Sequence, residues 1–104
     1  MPDRYRVIIT PRAAADLDGI HQYIEQNSPQ NAADVAAAII DAVDGLESLP
    51  HRYPVYQGGR QPSQAVRRMP VPPFLVYYSV NDDNRAVHVV TIRDGRRRQP
   101  RRFT

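Results

Sequence analysis

The sequence predicts an α+β fold of order β-α-α-β-β-β, a helical hairpin packed on one face of a mainly antiparallel sheet. Two observations carry this. Two amphipathic segments, each opened by a hydroxyl residue and a proline, follow one another with only a few residues between them. Three short apolar runs, two of them separated by a polar turn, then fill the C-terminal half.

The first element is "RYRVIIT", residues 4–10, whose β-branched residues and closing Pro11 read as a strand. Thr10 can cap a helix that begins at Pro11, where the missing N–H costs nothing. Ala13, Leu17, Ile20 and Ile24 recur at helical spacing and make one apolar stripe, with Gly19 as a weak point. The outward face, with Asp16, Gln22, Glu25 and Gln26, shows no contiguous apolar patch. Ser28 and Pro29 repeat the same punctuation and open a second helix. Its stripe is Ala32, Val35, Ala36, Ile39, Ile40, Val43, Leu46 and Leu49, and Pro50 ends it. Two helices so joined form an antiparallel hairpin.

From His51 to Ala65, prolines and paired glycines predict a loop. "VRRMPV" (66–71), "FLVYYSV" (74–80) and "AVHVVTIR" (86–93) read as strands. Asn81 to Asn84 should form a hairpin turn, because Asn and Asp hydrogen-bond their own backbone. Pro70, Pro72 and Pro73 cannot donate to a ladder, so they mark a bulge or an edge between the first two of these strands. Tyr77 and Tyr78 alternate faces, placing one in the core and the other toward the uncovered side. That uncovered side is the expected working surface.

At 104 residues the chain is expected to form one domain, residues 1–104, with a basic tail from 93 to 104. Without cysteine there is neither a disulfide framework nor thiolate chemistry. No apolar run approaches the ~20 residues needed to span a bilayer, and the N-terminus lacks a signal-peptide pattern, so no membrane association and a cytoplasmic location are expected. The net charge of +3 conceals an asymmetry. Residues 1–92 carry eight Arg against ten acidic residues, whereas residues 93–104 carry six Arg against Asp94 alone. An anionic partner therefore meets the tail first. All fourteen basic residues are Arg, so the choice of Arg over Lys says little about any single site.

In order and spacing the chain resembles the RelE/ParE superfamily of bacterial toxins, and its ParE-like branch in particular. The resemblance rests on the Leu-x-x-Ile-x-x-Tyr-Ile pattern of the first helix, the Pro-x-x-Ala start of the second and the Leu-x-x-x-Pro ending. It continues through "VRRMPVPPFLVYYSV" and "VVTIRDGRRR". It implies a type II toxin–antitoxin toxin, as in plasmid stabilisation, silenced by a cognate ParD-like antitoxin with an acidic C-terminal segment. Within the superfamily, ParE-like members poison DNA gyrase and RelE-like members cleave ribosome-bound mRNA, so the fold alone does not choose.

Ribonuclease chemistry through a 2′-hydroxyl needs a proton acceptor, a proton donor and cationic charge at the phosphorane. Leu75 stands where nuclease members often carry Arg, and no Tyr or His follows the Gly95-Arg96-Arg97 turn. Phe103 has no hydroxyl. Arg97 matches a nuclease-branch residue; with Tyr78 it makes the pair an enzyme reading would need. His21, His51 and His88 show no metal-ligand spacing, and neither a metal nor a cofactor is expected. His88 and His51 read as a packed or surface position and a solvated loop position. Asp94, next to Arg93, is a poor base because its pKa should be lowered.

The closing arginines admit four readings: a solvated terminus, a nonspecific nucleic-acid grip, a docking patch for an acidic antitoxin segment, and a gyrase contact. No aromatic interleaves the arginines to stack bases, as single-strand binders prefer, and no stable sequence-specific DNA binding by the toxin alone is expected. The expectation is a gyrase-binding toxin using Arg67, Arg68, Tyr78, Arg93, Arg96, Arg97 and Arg98, with no bond chemistry of its own. The alternatives are a RelE-like endoribonuclease with a degenerate site and a non-toxic homologue that only binds antitoxin. Asp94 in place of a His common in relatives, and Pro72-Pro73 in place of a Gly-containing approach, favour the last.

Overall fold

The computed structural model describes residues 4–101. Strand β1 (Arg6–Ile9) leads into helix α1 (Pro11–Glu25) and helix α2 (Pro29–Asp44). A short strand β2 (Val55–Gln57) is followed by β3 (Val66–Val71), β4 (Phe74–Asn81) and β5 (Ala86–Asp94). The five strands pair in the order β1-β5-β4-β3-β2. β1 runs parallel to β5 and every other pair is antiparallel. The helical hairpin and the mainly antiparallel sheet are as the sequence predicts.

Both helices start at the capping residues read from sequence. Thr10 Oγ1 accepts from Ala13 N–H (3.2 Å), and Ser28 Oγ accepts from Asn31 N–H (3.3 Å). Pro11 and Pro29 follow directly, at positions where the missing N–H has no helical partner to lose. The Thr10 hydroxyl also donates to Val89 O (2.8 Å), which pins the entry to α1 against β5.

Ala13 of α1 and Ile39, Val43 and Leu46 from α2 and the turn after it pack on Met69, Val76, Tyr78, Val87 and Val89 of the sheet. Each of these is at most 2% exposed. Two members of the predicted α2 stripe leave it. Helix α2 ends at Asp44 and passes into a 3-10 turn, Gly45–Glu47. Leu49 then takes φ 49° and is 72% exposed, while Ile40 is 41% exposed. A positive φ is uncommon for a branched side chain and turns Leu49 away from the core.

The predicted loop 51–65 contains β2, too short and too flanked by Pro and Gly to show an alternating pattern. It bonds only the first half of β3, near Val66 and Arg67. Pro70, opposite Leu75, therefore sits where β3 has no neighbour on its outer side, which is where a proline is tolerated. Pro72-Pro73, joined by a cis peptide bond, form the turn into β4. The sheet irregularities lie elsewhere, between Val55 and Gln57 and between Tyr77 and Tyr78. At the second, Tyr77 pairs with Thr91 and Tyr78 with Val89, so Val90 is the extra residue. The β4–β5 turn forms as expected, with Asn81 Oδ1 accepting from Asn84 N–H at 3.1 Å.

Asp16 corrects the sequence reading of α1. Its carboxylate turns inward, accepting from Thr91 Oγ1 and from Ile92 N–H (3.1 Å). β1 ends at Ile9, opposite Val89, so beyond it the β5 edge is open and Asp16 satisfies an otherwise unpaired donor.

Candidate functional site: an arginine loop beside an apolar groove

Strand β5 ends at Asp94, and the chain turns sharply at Gly95, whose N–H donates to Pro73 O at 2.7 Å. A Cβ on Gly95 would lie 2.7 Å from that oxygen, so only glycine lets the chain pass this close to the Pro72-Pro73 turn. Asp94 then organises the first loop residues. Its Oδ1 accepts from Arg96 N–H (2.9 Å), and its carboxylate takes a two-point ion pair from Arg96 Nε (3.0 Å) and Nη2 (2.8 Å). These contacts, led by the Arg96 side chain, hold the Asp94 carboxyl at about 2, in the direction its neighbours predict. A carboxylate so stabilised is a weak proton acceptor.

The arginines singled out in the sequence do not act alike. Arg67 faces the helix side, where its Nη1 donates to Tyr53 O (2.6 Å) and His51 O (3.1 Å), locking the segment before β2. Arg68, one residue on, points to the opposite side and lies 4.5 Å from the centre of the Tyr56 ring. Arg96 is committed to Asp94. Arg93 is half-buried, with its Nε shielded from solvent and without a hydrogen-bond partner. Arg97 and Arg98 are exposed, and among the described residues their side chains make no hydrogen bond or ion pair. Of these six arginines, Arg93, Arg97 and Arg98 thus make no side-chain hydrogen bond, ion pair or ring contact among the described residues. Arg102 and Phe103 lie outside the described residues.

Tyr78 is not a surface contact. It is fully buried under the helices, and its hydroxyl donates to Pro50 O at 2.6 Å. Burial pushes its phenol up to about 12. Tyr77, on the other side of β4, is equally buried, because the chain after β5 folds back over it. The side of the sheet away from the helices is therefore partly covered, where the alternation of β4 predicts an open face. Arg97 is exposed on the loop, whereas the Tyr78 hydroxyl is buried and bonded to Pro50 O, away from any partner at the surface.

The arginine loop borders a groove of about 1060 Å³ between the hairpin and the ends of β4 and β5. Ile20, Ile24, Val35, Phe74 and Ile92 supply its apolar lining; Arg93, Arg96 and Arg97 line it from the β5 side. Tyr23, 66% exposed, lies along the α1 side. Sequence reading missed this groove. Its signal was the widening of the α1 stripe by Tyr23 beside Ile20 and Ile24, visible only once β5 is known to end against the hairpin. A separate polar cluster joins three loops at the far end: Tyr5 donates to Asp82 (2.6 Å), and His51 Nε2 lies 3.1 Å from the same carboxylate. Among the described residues no group of three His, Cys, Asp or Glu lies together to hold a metal, and no helix is long and apolar enough to cross a membrane.

A capped helical hairpin, a five-stranded mixed sheet and a cationic loop after the last strand together define the RelE/ParE class of small toxins. Residues 7–99 match the family described as the ParE toxin of the type II toxin–antitoxin system parDE, and the chain belongs to that family. It is 38% identical over 93 residues to Toxin RelE2 of Caulobacter vibrioides, covering 88% of this chain and 97% of that protein. Its fold matches a chromosomal ParDE system structure from P. aeruginosa with a TM-score of 0.70 at 21% identity, over 88% of this chain and 97% of the other. The archaeal RelE–RelB complex from Pyrococcus horikoshii OT3 matches with a TM-score of 0.66 at 17% identity, over 91% and 99%. The protein is a toxin of a type II toxin–antitoxin system.

Proposed function

We propose that this toxin acts by binding DNA gyrase, with Arg93, Arg97 and Arg98 as its principal contacts and no bond chemistry of its own. The observation that carries this is the division among the arginines. Arg67 and Arg96 spend their donors inside the fold, while among the described residues the Arg93, Arg97 and Arg98 side chains make no hydrogen bond or ion pair, and Arg93 and Arg97 line the groove. Free guanidinium groups of this kind recognise carboxylate or phosphate in two-point geometry. The groups a nuclease would need are elsewhere or occupied: Tyr78 is in the core, and Asp94 is held ionised by Arg96.

The same surface suits a cognate antitoxin. An acidic amphipathic helix would set apolar side chains on Ile20, Ile24 and Phe74 and carboxylates against Arg93 and Arg97. Such a helix would silence the toxin by covering the arginines it uses. The assay is gyrase with supercoiled plasmid: the purified toxin should inhibit supercoiling and accumulate linear plasmid, and the adjacent antitoxin should reverse both. Failure to do either removes this reading.

One observation favours a second reading, a ribosome-dependent endoribonuclease: the 38% identical relative is named RelE2. It predicts cleavage of mRNA on translating ribosomes, lost in Arg97→Ala. Equal cutting by that variant would eliminate it. Growth after induction without antitoxin separates both from an inert homologue, which alone would leave growth unchanged.

A further inference from the structure

Beyond the Gly95 turn, the Asp94–Arg96 pair and the Arg97 N–H bond to Asp94 O (3.1 Å), one side-chain amide ties the arginine loop together. Gln99 Nε2 donates to Asp94 O at 2.9 Å and to Arg97 O at 2.6 Å, so a single side chain ties the start of the loop to its middle. The other end of that amide, Oε1, accepts from the Tyr77 hydroxyl at 2.8 Å. The orientation is fixed by chemistry, since the reversed amide would set its oxygen against two carbonyl oxygens. Tyr77 stands in β4, fully buried on the side away from the helices. Its ring packs edge-on against Tyr56 at 5.1 Å, and the Tyr56 hydroxyl donates to Pro100 O at 2.7 Å.

A buried hydroxyl in the middle of a sheet is thus aimed at the segment that carries the free cations. The core on the helix side does not need it, because it is built from other residues. The contact instead reaches the backbone of the loop that carries Arg97 and Arg98. Binding groups already fixed in place lose less freedom when a partner arrives.

We propose that Tyr77 and Gln99 are positioning residues of the toxin: the Tyr77 hydroxyl holds the Gln99 amide, and the amide holds the arginine loop in its binding geometry. The binding half rests on the proposed gyrase contact; the ordering half does not. The test uses the full chain with Tyr77→Phe, Gln99→Leu and the double variant. Trypsin cleavage after Arg96, Arg97 and Arg98, read by mass spectrometry, reports the order of the loop. Cleavage should rise roughly ten-fold in each single variant, and no further in the double, since both break one relay. Tyr56→Phe, which removes the bond to Pro100 and keeps the Tyr77–Gln99 bond, should leave these three sites near the parental rate.

Thermal midpoints should stay within a few degrees, and the concentration needed to inhibit gyrase should rise roughly five- to ten-fold. Should Tyr77→Phe fail to fold, Gln99→Leu alone decides. Parental cleavage rates in the variants, or rapid cutting of the parent itself at these sites, would overturn the proposal. So would faster cleavage of the variants with undiminished gyrase inhibition by them, where the parent is active on gyrase. A parent without effect on gyrase refutes the proposed function, while the cleavage rates still decide on the relay.

Discussion

Tyr77 and Tyr78 are neighbours in one strand, both fully buried, and they are buried by different means. Tyr78 faces the hairpin and lies among Ile39, Val43, Leu46 and Met69. Tyr77 faces the other way and is covered by Tyr56 and a returning tail, through hydrogen bonds from two hydroxyls. One face of the sheet is closed by apolar area, which holds the fold. The other is closed by a few polar contacts, which hold a cationic loop. Contacts of the second kind open at lower free energy and are the ones a protein can use in recognition.

Substitutions on the two faces should therefore differ in kind, and the comparison breaks if they do not. The largest effect belongs to the hairpin side. Leu46→Ala should cost about 2–5 kcal/mol by denaturant unfolding, since Leu46 is fully buried and the space cannot be refilled. A loss below about 1 kcal/mol would mean that this face is not the principal core. Tyr78→Phe comes next, at about 1–3 kcal/mol, because it strands the buried Pro50 carbonyl without its donor. Tyr77→Phe should cost less than Tyr78→Phe in the same experiment, because its partner Gln99 is only half-buried and water can replace the lost donor.

Proton titrations sharpen the same contrast. The Tyr78 phenol is raised by burial from 10.0 to about 12. A raised folded value means stability that is fully present below pH 10 and is lost as pH climbs toward 12. Followed by phenolate absorbance, Tyr78 should be among the last of the six tyrosines to ionise, with Tyr77 also delayed. Asp94 gives the opposite case. Its value is depressed from 3.8 to about 2, chiefly by the Arg96 side chain, so its contribution is present above pH 4 and fades as pH falls toward 2. Because its partner Arg96 is 70% exposed, Asp94→Asn should change global stability by less than about 1 kcal/mol, the smallest of these effects.

The fold was legible because its signals are local. Thr10-Pro11 and Ser28-Pro29 mark both helix starts, and Asn81–Asn84 mark the hairpin turn, by bonds among near neighbours in sequence. The short β2 was hidden, since three residues between Pro and Gly carry no period and owe their strand to the neighbouring β3. The site was legible as a charge run and no further. Whether an arginine is free depends on distant partners: Arg67 meets carbonyls 14 and 16 residues away, and the loop is set by Tyr77, 22 residues from Gln99. Tyr78 was misplaced because alternation tells that Tyr77 and Tyr78 face opposite ways, but not which of them faces the helices.

The most direct measurement is gyrase-dependent linearisation of supercoiled plasmid by the parent and by the Arg93→Ala/Arg97→Ala variant, at matched thermal stability. The parent should produce linear plasmid, and the variant should act at least about 100-fold more weakly, since each lost charged contact is worth about 1.5–3 kcal/mol. Equal potency of the two proteins would contradict it.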